Sequence, residues 1–139
     1  MRLLFIVLLF SVGVFASDNW NNNYDKAIEL AKAENKRIYM FIVSDDCRWC
    51  TKFENTTLKN KQVIKRLNDN YVLLHLVRER DTIPDGFKTS PVPRHYFLTP
   101  NGKTIFPVVG YRTVNDFNDF LDNVDERYKR IKNETSTNR

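Results

Sequence analysis

Hydrophobic residues in this chain form runs of strand length that alternate with stretches of helical spacing. Runs rich in β-branched and aromatic residues predict four strands, over residues 37–43, 71–77, 94–98 and 104–109. Apolar residues that recur on one helical face predict four helices, marked by Ala27 and Ala31, by Phe53, by Val63 and Leu67, and by Phe117 and Leu121. The predicted order of elements is α-β-α-α-β-β-β-α, and mixed helices and strands of this kind indicate the α/β class.

Turn-forming residues mark the connections between these elements. Residues 78–92 are polar and contain proline and glycine, which predicts a loop before the third strand. The pair Asn101 and Gly102 predicts a tight turn that makes the last two strands antiparallel. Asp45 or Asp46 follows the first strand and is expected to cap the helix that begins near residue 47.

The first residues of the chain have the pattern of a signal peptide, predicted over 1–16. Arg2 supplies a positive start, an unbroken apolar run follows, and Ala16 ends a stretch that fits a small-residue cleavage site. The apolar run is shorter than the stretch of about 20 residues that a membrane span needs. An uncleaved membrane anchor is the alternative interpretation of this segment.

The rest of the chain, residues 17–139, has the length of a single domain. Its core is predicted over about 20–130, followed by a polar C-terminal tail. The net charge of +5 is modest for 139 residues, and charges of both signs are interspersed. The densest basic cluster contains Lys129, Arg130 and Lys132. Since acidic residues lie nearby, we interpret this cluster as a solvated helix end and expect no nucleic-acid partner.

The chain has two cysteines, Cys47 and Cys50, and export would place them where disulfides form. A purely structural disulfide would close a very small loop and restrict the unfolded chain little. A zinc site would need His75 and His95 as further ligands, but their spacing from the cysteines fits no common zinc pattern. A redox pair fits best, because a helix N-terminus favours the thiolate that attacks disulfides. We therefore expect no metal.

Taken together, these motifs resemble those of thioredoxin-fold proteins, from about Trp20 to about Arg130. The matching features are Cys47-Arg48-Trp49-Cys50 after the first core strand, Val92-Pro93-Arg94 at the start of the third, an Asn-Gly hairpin, a glycine after the last strand and a closing helix. An aromatic residue before the second cysteine is similar to a subgroup that includes bacterial periplasmic thioredoxin-like proteins. That subgroup also includes the C-terminal domain of the membrane carrier that supplies periplasmic reductant. The resemblance implies a central four-stranded mixed sheet flanked by helices.

The resemblance also implies roles for individual positions. Cys47 would be the exposed attacking thiol and Cys50 the more buried resolving thiol. Pro93 matches the family's cis-proline, which packs against the disulfide, and Val92 would line the peptide groove. Trp49 would either present an aromatic face to the partner or pack at the helix start, and both interpretations stay open.

The chain departs from thioredoxins in the residues that tune the cysteines. Their first core strand carries a buried acid that relays the proton of the resolving thiol, and Phe41 occupies that position here. Glu54, His75 or water would have to take over the relay, although a single strand histidine is more often structural. Arg48, between the cysteines, favours the thiolate by its charge, whereas Asp45 and Asp46 oppose it, and the sequence leaves the net sign open. Arg48-Trp49 also differs from both the Gly-Pro of thioredoxins and the Pro-His of strong oxidants.

These features predict an exported thiol–disulfide oxidoreductase that reduces protein disulfides through Cys47 and Cys50. We expect no cofactor beyond this redox-active disulfide, a membrane electron donor as partner, and a monomer. The expected location is the bacterial periplasm, or the lumen of the secretory pathway if the source is eukaryotic. The alternative is a binding module or assembly chaperone that holds exported clients in the groove at Pro93 with little redox turnover.

Overall fold

A mixed five-stranded sheet in the order β1-β3-β2-β4-β5 forms the centre of the protein. The computed structural model describes residues 19–137. The strands are β1 Trp20–Asn21, β2 Arg37–Val43, β3 Tyr71–Val77, β4 Arg94–Leu98 and β5 Thr104–Val109. β3 pairs in parallel with β1 and β2, whereas β4 runs antiparallel to both β2 and β5. The predicted α/β class and mixed sheet are confirmed, and β2 to β5 have the predicted bounds.

Within residues 19–137 the sheet is accompanied by four α-helices and one short 3₁₀ turn, and the last helix follows the last strand. They are α1 Tyr24–Glu34, α2 Arg48–Asn55, the 3₁₀ turn Thr57–Lys59, α3 Lys61–Asn70 and α4 Val114–Thr137. Asparagine side chains cap the N-termini of α1 and α3. The Asn23 side chain accepts a hydrogen bond from the Lys26 backbone N–H, and the Asn60 side chain accepts from the backbone N–H groups of Gln62 and Val63. α1 ends at Asn35, which adopts the left-handed conformation with φ of 51°.

Strand side chains alternate between two cores, one on each face of the sheet. Tyr39 and Phe41 of β2 face a core that also contains Phe97 and residues of α2, α3 and α4. Ile38 and Met40 face the other core, which is covered by α1 and by part of the loop 78–92. Every residue of β2 is buried, so the cysteine helix starts from the most central strand of the sheet.

The sheet has one strand more than the sequence predicted. Trp20 and Asn21 pair in parallel with Leu73 and Leu74 of β3, and the Asn21 side-chain amide donates to the Leu73 carbonyl at 3.1 Å. A strand of two residues is too short to produce a hydrophobic period, so the pattern could not reveal it. β1 and β5 are the edges of the sheet, and β5 carries the exposed Pro107.

α4 continues to Thr137, so the polar C-terminal residues that the structure describes are helical. Hydroxyl groups at Thr135, Ser136 and Thr137 donate to carbonyls four residues earlier, within the helix. The predicted signal peptide, 1–16, lies outside the described residues. Within 19–137, no helix combines the length and apolar character needed to cross a membrane.

A network of ion pairs fixes α4 at the end of the sheet opposite the cysteines. Asp125 pairs with Arg37 of β2 and, at 2.7 Å, with Arg66 of α3. The Arg37 guanidinium is buried and lies 4.4 Å from the Tyr71 ring centre. Burial alone would raise the pKa of Asp125, but hydrogen bonds from Arg66 and Arg37 outweigh it and lower that pKa.

Candidate active site

The two cysteines form a disulfide at the start of α2, with their Cα atoms 5.3 Å apart. Cys47 is the N-cap residue, and its sulfur accepts the Cys50 backbone N–H at 3.1 Å. Cys47 is half-buried, whereas Cys50 is only 3% exposed. The first cysteine is therefore the one that an approaching partner reaches, and the second lies behind it.

The predicted aspartate cap of α2 is wrong. Because Cys47 occupies the cap position and its sulfur accepts the free amide, neither preceding aspartate is needed there. Asp45 instead pairs with Arg80 at 3.0 Å, and its backbone N–H donates to Glu79 at 3.2 Å. The aspartates therefore belong to the surface loop before the helix.

Trp49 is 44% exposed and is the one large hydrophobic residue classed as exposed within residues 19–137. The centre of its ring lies 5.8 Å from the ring centre of Tyr111, which follows the last strand. The Arg48 guanidinium lies 5.1 Å from the Trp49 ring centre, and the Lys52 Nζ lies 5.0 Å from it. Trp49 thus packs against its neighbours with one side of its ring and leaves the rest in solvent, so both interpretations of this residue stay open.

The Val92-Pro93 segment enters β4 beside the same core. Val92 is half-buried, Pro93 is buried, and the peptide bond between them is cis, as is that between Ser90 and Pro91. Val92 and Cys47 both pack against the core cluster that contains Cys50. The structure thus brings the predicted groove residue and the cysteine pair to one cluster.

Arg94 supports this segment in a way that the sequence did not indicate. Its side chain is buried, and its guanidinium donates to the Ser90 carbonyl at 2.7 Å and to the Pro91 carbonyl at 3.3 Å. A buried cation held by backbone carbonyls restrains the turn that leads into Pro93. The position next to the proline was visible in the sequence, but the return of the side chain to the preceding loop was not.

His95 is a second buried group that sequence reasoning missed, having been considered only as a zinc ligand. Its Nε2 lies 3.0 Å from the Gly110 carbonyl oxygen and its Nδ1 2.8 Å from the Tyr39 hydroxyl. Because a carbonyl can only accept, Nε2 carries the proton and Nδ1 accepts from Tyr39. The Gly110 backbone N–H in turn donates to the Pro93 carbonyl at 2.8 Å. His95 is therefore linked to Pro93 through hydrogen bonds to Gly110.

The imidazole of His95 is kept neutral by its surroundings. It is fully buried, and its ring centre lies 5.1 Å from that of Phe41 and 4.8 Å from that of Phe53. Burial disfavours the imidazolium and lowers the pKa of His95 to about 4. The hydrogen bond to Gly110 acts in the opposite direction, and the charge of Arg112 adds to the lowering.

Phe41 lies in the sheet between the two histidines of the chain, paired with His75 on β3 and with His95 on β4. On the β3 side, the His75 Nε2 lies 2.9 Å from a Glu54 carboxylate oxygen. Both side chains are partly exposed and line a cleft of about 700 Å³ together with Trp20. The structure therefore joins the two residues predicted as relay candidates, and Glu54 lies one helical turn beyond Cys50 on α2.

Metal ligation has no arrangement to support it in the part of the chain that the structure describes. No group of three or more histidine, cysteine, aspartate or glutamate side chains is placed to hold an ion within residues 19–137. The two histidines have the other partners given above, and the two cysteines are joined to each other.

Comparison with known families agrees with this geometry. Residues 24–125 match the family described as a thioredoxin-like domain. The chain belongs to the thioredoxin-like family. This assignment covers the whole sheet except β1, together with the cysteine helix, and it confirms the predicted family and fold.

Relatives of this thioredoxin-like chain show how far the similarity extends. Spermatogenesis-associated protein 20 of Mus musculus is 28% identical over 116 residues, which are 69% of this chain and 15% of that protein. The chain thus spans only a small part of the length of this curated relative. A thioredoxin from Thermus thermophilus has a TM-score of 0.60 at 19% identity and covers 78% of this chain and 85% of that one. The oxidised C-terminal domain of DsbD from Neisseria meningitidis has a TM-score of 0.58 at 15% identity and covers 70% and 90%. The two structural likenesses establish the fold.

A thioredoxin-like fold with a half-buried and a buried cysteine at a helix start can perform thiol–disulfide exchange. In the disulfide form, a partner's thiolate can attack the sulfur of the half-buried Cys47; in the reduced form, the Cys47 thiolate can attack a partner's disulfide. Cys50 lies close enough to form the intramolecular disulfide with Cys47 again. The backbone N–H groups and partial positive charge of the α2 N-terminus stabilise a thiolate at Cys47 when the pair is reduced.

Proposed function

We propose that this protein is an exported thiol–disulfide oxidoreductase that reduces disulfides in protein substrates. The observation that carries the proposal is the placement of the cysteine pair. Cys47 caps α2 and is half-buried, while Cys50 lies behind it at 3% exposure. This asymmetry gives the pair one attacking thiol and one resolving thiol.

The reaction proceeds by two exchanges of sulfur partners. The Cys47 thiolate attacks one sulfur of the substrate disulfide, which forms a mixed disulfide and releases the other substrate sulfur as a thiolate that takes a proton from water. Cys50 then loses its proton and attacks the Cys47 sulfur. This step releases the second substrate thiolate and leaves the Cys47–Cys50 disulfide. Two electrons have passed from the cysteine pair to the substrate.

The proton of Cys50 must leave before the second exchange. Phe41 cannot accept it, so we assign this role to the Glu54 carboxylate, which lies one turn beyond Cys50 and is hydrogen-bonded to His75 at 2.9 Å. The half-exposed cleft beside this pair gives water access to carry the proton away. Glu54 acts on the leaving proton, while His75 orients the carboxylate.

The reducing direction requires a source of electrons after each turnover. We propose that a membrane electron donor reduces the Cys47–Cys50 disulfide by the same exchange in reverse, in the bacterial periplasm, and that the protein acts as a monomer without a further cofactor. The support for this direction is the Cys-Arg-Trp-Cys sequence, which resembles that of the largely reductive periplasmic subgroup.

The reduction potential of the cysteine pair tests the proposal directly. Equilibration with glutathione, followed by Trp49 fluorescence, should give a potential of about −250 mV or below, in the range of reducing thioredoxins. The protein should also reduce insulin, and Cys47→Ser should abolish that activity. A potential of about −120 mV, as in a strong oxidant, would instead make the protein a disulfide donor.

A second candidate function is that of a binding module or assembly chaperone for exported clients. The exposed indole of Trp49 favours this alternative, because it offers an apolar contact that needs no redox step. Client binding that persists after both Cys47→Ser and Cys50→Ser, without insulin reduction by the native protein, would favour the module. Loss of turnover on either substitution would favour the enzyme.

A further inference from the structure

Two aromatic rings and two cations form a continuous surface beside the cysteine pair, which we call the Trp49 rim. It consists of Arg48, Trp49, Lys52 and Tyr111. The centres of the two rings are 5.8 Å apart. The Lys52 Nζ lies 5.0 Å from the Trp49 ring centre and 4.8 Å from that of Tyr111. The Arg48 guanidinium lies 5.1 Å from the Trp49 ring centre. Both cations are therefore held against aromatic rings, although their side chains are exposed.

The rim rests on a fixed support. The Tyr111 ring contacts the buried Phe53 edge-on at 6.4 Å, and its hydroxyl lies 3.4 Å from the Thr56 hydroxyl. Tyr111 directly follows Gly110, which is held by Pro93 and His95. Since Tyr111 is positioned from below, the Lys52 ammonium loses part of its freedom before any partner arrives. A preorganised cation binds a carboxylate at a smaller entropic cost than a freely rotating one.

The charges around Cys47 are unequally distributed. On the helix side, Arg48 and Lys52 have no carboxylate partner among the ion pairs of residues 19–137. On the loop side, Asp45 is paired with Arg80 and Asp46 is exposed. The carboxylate of Glu54, further along α2, is bonded to His75. The face that a client meets beside Trp49 is therefore cationic.

We propose that the Trp49 rim selects clients that carry an acidic side chain close to the cysteine that Cys47 attacks. Trp49 lies between the two cysteines, so a client chain joined to Cys47 must pass over or beside its indole. A carboxylate on that chain then lies within reach of Arg48 and Lys52, while its apolar neighbours cover the rings. This inference rests on the proposed function and names the substrate class of the same site.

Three disulfide-linked model peptides test the selection. They have one sequence and differ only in the residues flanking the cysteine, which are glutamate, glutamine or lysine. The second-order rate of their reduction by the reduced protein is measured by stopped flow. We expect the rates to fall in the order glutamate, glutamine, lysine, with a glutamate-to-lysine ratio of about tenfold or more at low ionic strength, because each surface charge pair changes an equilibrium by up to about fivefold. Added salt should reduce the ratio.

Variants locate the preference on the rim. In Arg48→Gln/Lys52→Gln the ratio should fall close to one, and in Arg48→Glu/Lys52→Glu it should invert. The matched control is Lys129→Gln/Arg130→Gln, which removes the same charge from exposed positions on α4 and should keep the native ratio. The ratio between peptides is the readout because Arg48 also influences the reactivity of Cys47, and such an effect acts equally on all three peptides.

The outcomes separate this inference from the function on which it rests. Reduction of all three peptides at equal rates would overturn the inference and leave the oxidoreductase standing. A native ratio that survives in both rim variants would also overturn it, since the selection would then lie elsewhere. Failure to reduce any peptide would overturn the proposed function, and the inference with it. Thermal unfolding of each variant checks that the rim substitutions leave the fold intact.

Discussion

Mild acid should destabilise this protein through one buried histidine. The ordinary pKa of histidine is about 6.5, and burial lowers that of His95 to about 4. The unfolded chain therefore binds a proton in a range of pH where the folded protein does not. Stability from this group is complete above the unfolded pKa and is lost as the pH falls from about 6.5 towards about 4.

The size of the effect follows from the two pKa values. One pKa unit corresponds to about 1.4 kcal/mol, so the full loss is about 3 kcal/mol below pH 4, and about 2 kcal/mol of it falls between pH 7 and pH 5. His95 is fully buried, so solvent does not screen it. The lowered pKa of Asp125 acts in a different window, because its stabilisation is present above its ordinary range near pH 4 and is lost below it.

Urea denaturation of the oxidised protein at pH 7, 6 and 5 measures this loss. His95→Gln is the informative variant, because glutamine keeps an N–H for the Gly110 carbonyl but does not titrate. We expect the variant to be less stable than the native protein at pH 7, and its free energy of unfolding to fall by about 2 kcal/mol less between pH 7 and pH 5. NMR of the His95 ring provides an independent measurement and should show no protonation above pH 5.

The same pH dependence in the native protein and in His95→Gln would refute this reasoning, as would an NMR titration of His95 near pH 6.5. Either result would mean that the imidazole is more accessible to water than its contacts with Phe41 and Phe53 imply. The support of Gly110 by His95 would then also need to be reconsidered.

Three further predictions concern other parts of the protein. Asp125→Asn leaves the buried Arg37 without its carboxylate and should lower the free energy of unfolding at pH 7 by about 2 kcal/mol, less than for a fully buried pair. The difference from the native protein should shrink below pH 4, and a difference that persists there would contradict the ion-pair explanation. Glu54→Gln should slow release of the mixed disulfide by about tenfold or more in rapid-quench experiments, with formation unchanged; equal release rates would assign the proton to water. Gly102→Ala should lower the free energy of unfolding, measured with denaturant, by about 1–2 kcal/mol, because Gly102 has a φ of +82° and an added Cβ would clash with the Tyr24 hydroxyl. An unchanged denaturation midpoint would show that the turn adapts.

The central strands were predictable because they consist mostly of large apolar residues, which indicates a buried strand. β2 is an unbroken run of large apolar residues after Arg37, and in β3 only His75 interrupts such a run. The structure places both strands at the predicted bounds. The Cys-Arg-Trp-Cys sequence after β2 likewise indicated a helix start. These features depend on neighbours along the chain, which a single sequence shows.

The missed features depend on contacts between distant parts of the chain. Nothing in the run around His95 indicates that its imidazole meets the Gly110 carbonyl, because that contact needs the β4–β5 pairing and the loop after it. The contact of Trp49 with Tyr111 has the same origin. The short strand β1 forms only because β3 offers it a free edge. In each case the residue type was visible, but the partner was not.

The two edges of the sheet determine how the protein meets other copies of itself. On one side β1 offers only two residues, and on the other β5 is interrupted by Pro107, which has no backbone N–H. Long, regular edges are templates on which a further strand from another molecule can pair. Short length at one edge and a missing donor at the other make both poor templates. The fold thus resists polymerisation through its backbone.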